Sequence, residues 1–382
     1  MRDDIPADSQ CLINPANLTR AANRNRQKHR PADPSEIDFE LDFDHVPEDG
    51  NFLQRDIRTD TARHLIFATA EQLRLLRSVQ QVFMDGTFRV VKQPFMQLFS
   101  FHGFLLDDED QEVKQVPLAF ALMSRRRKSD YVAVFNAVKE LAPNLANKDM
   151  DMVTDFEAAI WTAAEEVFPD ASMHGCSFHW CQAVMRAVGE KSLAQAYRTN
   201  HNVRTYIWKL FALPYLPLGE IEGAFYRLAS SATAELRPLV DYIEETWIND
   251  HQSYSKPASW CVYRRAIRTN IDVEGWHRRL NKHAGRGKLP LYTLLGLLYK
   301  EAELIPYQGW LVSEKQLRRC RRQKSTETQA LLGQLWEDYQ RQELSVKQLL
   351  QRVSLLHAVV PVLHSLPPSV PRLPSVDNVV WV

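Results

Sequence analysis

The sequence has little cysteine, no net charge and no long hydrophobic run, and each absence excludes a class of protein. Its 382 residues include five cysteines, an odd number at low density, which argues against a disulfide-stabilised secreted scaffold. The polar N-terminal residues do not resemble a secretory signal peptide, so a reducing intracellular compartment is expected. No run of about eighteen apolar residues occurs, so no membrane-spanning helix is expected.

The charges balance, because 47 Lys and Arg residues match 47 Asp and Glu residues. Taken as an average, this balance argues against a strongly basic nucleic-acid binder, but averages hide local segregation. A basic stretch at 20–30 precedes an acidic stretch at 33–49, and further basic clusters occupy 125–128, 264–288 and 315–324. One such cluster is usually a solvated surface, whereas several in one chain favour a phosphate-binding track.

Hydrophobic periodicity predicts a mixed α/β region followed by a helical region. The pattern predicts a helix over 61–77, then elements in the order β-β-β-α-β-α-β. Residues 37–43 alternate apolar and acidic side chains, as an edge strand does. Helices are predicted over 181–270 and 289–355, and 361–382 form a proline-rich tail.

Three carboxylates stand out from this pattern. Asp85 and Asp155 each follow a short hydrophobic run, which places them at the C-terminal ends of buried strands, where ligands bind in α/β sheets. A lone strand-end Asp is more often an N-cap or a turn former, but two at matching positions favour a shared divalent metal. Glu274 is the candidate third acid, with Asp272 as a rival on another side of the same predicted helix.

Four short blocks resemble the MULE (Mutator-like element) transposase domain, and they occur in that family's order. The blocks are 83–88, 153–159, 175–180 and 274–277, and the resemblance extends over roughly 60–300. It implies an α/β fold with an RNase H-like mixed sheet core. It also implies an all-helical insertion between the second Asp and the Glu, followed by a C-terminal helical region.

The resemblance divides the chain into five expected segments. These are a polar, partly irregular lead-in at 1–60, an RNase H-like core at 61–180, a helical insertion at 181–268, a final core helix carrying the third acid at 269–300, and a helical C-terminal region with its proline-rich tail at 301–382.

The chemistry that the resemblance implies is metal-dependent DNA strand cleavage and transfer by a DDE triad. Carried over residue by residue, the triad is Asp85, Asp155 and Glu274, which would bind two Mg²⁺ or Mn²⁺ ions. Basic residues near the third acid would hold DNA phosphates. The candidates are Arg264, Arg265, Arg278, Arg279 and Lys282.

Cys176 and His179 form a C-x2-H element that the family shares. A zinc site needs four ligands, and this element supplies two, so a packed thiol and a structural histidine are the more frequent alternative. The residues that would complete a zinc site are Cys181, Cys261, His277 and His283. Trp180 and Trp276 are expected in the core, with stacking on an extruded base as the alternative.

The implied partners are transposon terminal repeats and target DNA, bound by a homo-oligomer in the nucleus, with no membrane association. Residues 1–60 lack the Cys/His spacing of the N-terminal zinc finger that full-length family members often carry. Two other functions therefore stay open. One is a domesticated, non-catalytic DNA-binding or protein-interaction factor with the same fold, and the other is an RNase H-like nuclease acting on RNA–DNA hybrids.

Overall fold

A computed structural model of the protein describes residues 25, 30–107, 109, 112–250, 252–265, 271–285, 287–317 and 323–359. These residues form a mixed α/β structure around one seven-stranded sheet, which confirms the predicted α/β class. Among them, no helix is long and apolar enough to cross a membrane.

The sheet is antiparallel on one side and parallel on the other. Its strands are β1 (Leu53–Arg58), β2 (Arg63–Phe67), β3 (Gln81–Thr87), β4 (Gln97–Leu106), β5 (Glu112–Met123), β6 (Asp151–Thr154) and β7 (Ser172–Gly175). They lie in the order β1-β2-β5-β4-β3-β6-β7. The pairs β1–β2, β2–β5, β5–β4 and β4–β3 are antiparallel. Strand β6 pairs in parallel with both β3 and β7.

Helices cover the sheet and form most of the C-terminal half of the described chain. They are α1 (Ala70–Leu76), α2 (Lys128–Leu141), α3 (Ala158–Val167), α4 (Ser177–Glu190), α5 (Ala194–Thr199), α6 (His201–Ala212), α7 (Leu218–Ser230), α8 (Arg237–Ile243), α9 (Pro257–Trp260), α10 (Ile271–Ala284), α11 (Leu291–Ser313), α12 (Gln323–Gln340) and α13 (Val346–Val359). A π-helical turn, Glu244–Ile248, extends α8.

Both faces of the central strands are buried, because helices pack against each side. Side chains of β3 alternate between the faces, so Met84 packs in the cluster that contains α2 and α3. Phe83 packs on the opposite face, with Val273 of α10. Burial on both faces explains why β3 and β4 are nearly continuous apolar runs in the sequence.

The helices from α4 to α9, together with α12 and α13, enclose a core of their own. Trp180 of α4 is fully buried in this core, stacked on Trp260 at a ring-centroid distance of 4.3 Å and an interplanar angle of 18°. The indole Nε1 of Trp180 donates to the carbonyl of Leu210 over 3.1 Å. Trp180 is therefore a core residue, as expected from the sequence.

The predicted order β-β-β-α-β-α-β is confirmed between Gln81 and Gly175. The helix predicted over 61–77 is wrong in its first half, because Arg63–Phe67 is a strand that pairs with both β1 and β5. All five residues of that strand are buried, and periodicity alone does not distinguish such a short buried run from part of a buried helix. The helix itself begins after Thr69, which forms a capping box with Gln72.

The edge strand predicted over 37–43 is also wrong. Residues 37–42 form no regular element, and Phe43–His45 is a short 3-10 helix whose first turn is capped by the Asp42 side chain. The Arg63 guanidinium donates to the backbone carbonyls of Ile37 and Phe39. A buried side chain therefore binds two carbonyls that a ladder would otherwise use.

Candidate metal centre

Asp85 lies on β3 with only 5% of the residue exposed. The Gly86 amide donates to its Oδ1 over 2.8 Å. Its Oδ2 is buried and accepts no hydrogen bond from any described residue. A buried carboxylate oxygen without a hydrogen bond is unfavourable, so this atom needs a cation or a proton.

Glu274 and His179 meet Asp85 from two different helices. Glu274 lies on α10, beside the fully buried Val273, and His179 lies in the first turn of α4. Each of the three residues offers a ligand atom, and these atoms all lie within 4.8 Å of one another. His179 Nε2 is 3.5 Å from Glu274 Oε1. The three side chains form a compact N/O donor set that can hold a divalent cation.

Asp155 lies just outside this group. It follows β6, which runs parallel to β3, so the two aspartates share the C-terminal edge of the sheet. Its Oδ1 accepts from the Glu157 amide over 3.3 Å, and its backbone carbonyl accepts from Trp161 Nε1 over 2.6 Å. These bonds hold the turn after β6 in place, and the half-buried carboxylate is close enough to Asp85 for its charge to raise the pKa of Asp85.

Gly175 permits a close approach beside this turn. A Cβ atom at Gly175 would lie 2.0 Å from the ring of Phe156, which directly follows Asp155. Any larger residue at the end of β7 would push Phe156, and with it the Asp155 turn, away from the sheet.

Burial and neighbouring charges shift the ionisation of the group. Burial raises the pKa of Asp85 to about 8; the His179 charge opposes this rise, and the Glu274 and Asp155 charges add to it. Burial lowers the pKa of His179, but Cys176, Glu274 and Asp85 outweigh it and hold that pKa well above its ordinary value. Burial raises the pKa of Glu274, but His179 outweighs it and the pKa is lowered. A bound cation would lower the pKa of Asp85, as the charge of His179 does.

A buried polar chain extends behind Asp85. His277 Nδ1 lies 3.5 Å from Asp85 Oδ2, and its Nε2 lies 3.5 Å from Ser100 Oγ. His102 Nε2 lies 2.9 Å from the same hydroxyl. Burial lowers the pKa of His277 to about 4 and that of His102 well below its ordinary value, so both rings are neutral at pH 7.

Ser100 and His102 are members of the site that the sequence analysis missed. Ser100 is directly opposite Asp85 in the β3–β4 register, and His102 is two residues further along the same face. Polar residues at alternate positions of an otherwise apolar strand were the available signal.

The third acid is positioned by a contact between α10 and α11. Glu301 of α11 is buried, and its Oε2 accepts from Trp276 Nε1 over 2.9 Å. The Arg279 guanidinium donates to the same oxygen. Trp276 is buried and stacks on Phe120, so it too is a core residue.

Two of the other predicted phosphate-binding residues, Arg278 and Lys282, lie on α10, whereas Arg264 and Arg265 precede it in the chain. Arg278, Lys282 and Arg264 are exposed, and Arg265 is half-buried. Unlike them, Arg279 has its guanidinium paired with a buried carboxylate. Within the predicted basic clusters, 266–270, 286 and 318–322 lie outside the described residues.

Cys176 caps α4, next to His179. Two of the residues that could complete a zinc site contact other groups. Cys261 Sγ donates to the Leu216 carbonyl over 3.4 Å, and His277 Nδ1 faces Asp85. Cys181 packs in the helical core, and His283 is exposed. Zinc binding by Cys176 and His179 stays a prediction.

Comparison with protein families identifies a MULE transposase domain over residues 81–183. The match includes Asp85, Asp155, Cys176 and His179, and it ends before Glu274. The family resemblance read from the sequence is therefore confirmed over this range. No curated protein shows a significant match to the chain.

Proposed function

We propose that the protein is a DDE transposase, or a protein derived from one, which cleaves and transfers DNA strands in a metal-dependent reaction. The observation that carries this proposal is the group of Asp85, His179 and Glu274, in which Asp85 is buried and the other two are partly buried, inside a chain that contains a MULE transposase domain. In this proposal the protein acts on transposon ends and target DNA, as a homo-oligomer in the nucleus.

The order of the strands supports an RNase H-like core. The segment β5-β4-β3-β6-β7 has three antiparallel strands followed by two parallel ones, and the first and second aspartates lie on or after the adjacent strands β3 and β6. Helices α4 to α9 lie in sequence between Asp155 and Glu274, as expected for a helical insertion.

The residues present fit a divalent cation of the Mg²⁺ or Mn²⁺ type. The buried Oδ2 of Asp85 accepts no hydrogen bond from the described residues, and Glu274 and His179 offer further donors within 4.8 Å. Asp155 would supply a carboxylate for a second ion. Bound metal would activate a water or a 3′-hydroxyl and stabilise the leaving oxygen of an in-line displacement.

Other residues position the two acids Glu274 and Asp85, or supply positive charge for DNA phosphates. The docked Trp276 and Arg279 hold α10 so that Glu274 faces Asp85. His277, neutral and buried, lies 3.5 Å from Asp85 Oδ2 and limits the space in which the Asp85 carboxylate can rotate. The exposed Arg278 and Lys282, on the helix that carries Glu274, would hold phosphates of the bound DNA.

The test is strand cleavage of duplex DNA with Mg²⁺ or Mn²⁺. Asp85→Ala, Asp155→Ala and Glu274→Gln should each lower the cleavage rate by about 100-fold or more. Asp149→Asn, which changes an exposed aspartate away from the group, should cleave like the parent. Full activity of Asp85→Ala would refute the assignment. Metal binding or DNA binding without cleavage would instead favour the non-catalytic alternative, and a preference for RNA–DNA hybrids would favour the nuclease.

A further inference from the structure

Phe88 is an exposed aromatic residue at the sheet edge that carries the metal centre. It comes directly after β3, three positions after Asp85, and 46% of the residue is exposed. A phenylalanine this exposed gains little free energy from hydrophobic burial, so its ring contributes little to the core. Met96, also 52% exposed, lies at the same edge, since its amide bonds to the Met123 carbonyl at the end of β5 over 2.8 Å.

A basic loop adjoins this ring. Arg126 lies in the loop between β5 and α2, and its guanidinium carbon is 4.6 Å from the centroid of the Phe88 ring. Arg125, Arg127 and Lys128 are its neighbours. Among the described residues, Lys128 pairs with Glu166 and Arg126 with Glu157, whereas Arg125 and Arg127 have no ion pair. The loop therefore has positive charge available beside an aromatic surface.

Glu157 connects this loop with the metal centre. Its Oε2 is 3.6 Å from Arg126 Nη1, and it lies two residues after Asp155. Tyr131 donates to Glu157 Oε1 over 3.2 Å and in turn accepts from Gln97 Nε2 over 2.9 Å. These contacts link Arg126, and through it the Phe88 ring, to the residue two positions after Asp155.

From this arrangement we propose that Phe88 and Arg126 form a subsite for an unpaired DNA base next to the phosphate that reacts at the metal centre. The ring offers a stacking surface for a nucleobase, and the guanidinium and its basic neighbours offer charge to the flanking phosphates. DNA is favoured over a protein partner because an exposed aromatic ring and a run of basic side chains lie together at the edge where the carboxylates lie. This subsite rests on the proposed function.

A photocrosslinking experiment tests the subsite without requiring cleavage. The 382-residue protein is mixed, in Ca²⁺, with duplex DNA whose short single-stranded overhang contains iododeoxyuridine. Crosslinks formed on irradiation are then mapped to residues by mass spectrometry. In parallel, the affinities for overhang DNA and for blunt duplex DNA are measured by fluorescence anisotropy.

The expected crosslink is at Phe88. Phe88→Leu should abolish it and weaken binding of overhang DNA by about 5- to 10-fold, the lower range for one stacked base, with blunt duplex affinity unchanged. Phe88→Tyr should retain both properties. Phe43→Leu is the matched control, because Phe43 is 55% exposed in the lead-in and should have no effect.

Unchanged overhang affinity in Phe88→Leu, or crosslinks that map only elsewhere, would overturn the subsite. The outcome is separable from that of the proposed function. A crosslink at Phe88 in a protein that never cleaves DNA would support the subsite and reject the catalysis. Cleavage that depends on Asp85, with no crosslink at Phe88 and no change of overhang affinity in Phe88→Leu, would support the catalysis and reject the subsite.

Discussion

Replacing Asp85 with asparagine is expected to stabilise the metal-free protein while abolishing its response to metal. The pKa of Asp85 is raised from 3.8 to about 8, mainly by burial. A carboxyl whose pKa is higher in the folded state binds its proton more tightly there than in the unfolded chain. Its stabilising effect is therefore complete below pH 3.8 and is lost as the pH rises through 8.

The size of the effect follows from this shift. Across that window the free energy of unfolding falls by about 1.4 kcal/mol per pH unit on account of this one group. Asparagine has nearly the shape of the protonated carboxyl and does not titrate. The variant should therefore match the parent near pH 4 and exceed it by about 4 kcal/mol at pH 7.

Urea denaturation in EDTA at several pH values between 4 and 8 measures this difference. Titrating groups that do not interact with Asp85 are common to both proteins and cancel in the comparison. Added Mn²⁺ at about 100 times its dissociation constant should raise the stability of the parent by about 2.7 kcal/mol and that of the variant by far less. Asp149→Asn is the control and should follow the parent throughout. Parallel pH profiles for the parent and Asp85→Asn would refute the argument from burial.

Three further results are expected. Glu301→Gln removes the carboxylate that holds Arg279, and should lower the free energy of unfolding by about 2–3 kcal/mol in urea titrations. Trp180→Ala leaves a cavity against Trp260 and should cost about 3–5 kcal/mol by the same assay, with no selective loss of DNA affinity. Burial raises the pKa of Asp56, but the hydrogen bonds and charges of Arg63 and Arg58 outweigh burial and lower this pKa. The ionised Asp56 therefore stabilises the folded state above pH 3.8, and this stabilisation is lost in more acidic solution. Asp56→Asn should remove this part of the acid transition, monitored by circular dichroism.

The strand ends that carry the aspartates were predictable from the sequence because the signals are local. A short apolar run that leads into a carboxylate places Asp85 near the end of β3 and Asp155 directly after β6 without any knowledge of distant residues. The order of elements from Gln81 to Gly175 was predictable for the same reason, since the helices differ in period from the strands and polar or acidic residues separate the three successive strands.

The errors arose where tertiary contacts decide the conformation. The segment Arg63–Phe67 is a strand because β1 and β5 flank it, and its local pattern does not distinguish a strand buried on both faces from a helix. Ser100 and His277 are 177 positions apart, so their contact behind Asp85 depends on how α10 docks. His179 joins Asp85 and Glu274 through the packing of α4, which spacing in the chain does not reveal.

The most direct test of the proposed metal centre is anomalous X-ray scattering from crystals of the protein soaked in Mn²⁺. The structure predicts an anomalous peak within ligand distance of Asp85 and Glu274, with His179 or Asp155 in the same coordination sphere. The peak should disappear in Asp85→Asn crystals. A fully soaked crystal with its Mn²⁺ peaks only at other residues would contradict the account.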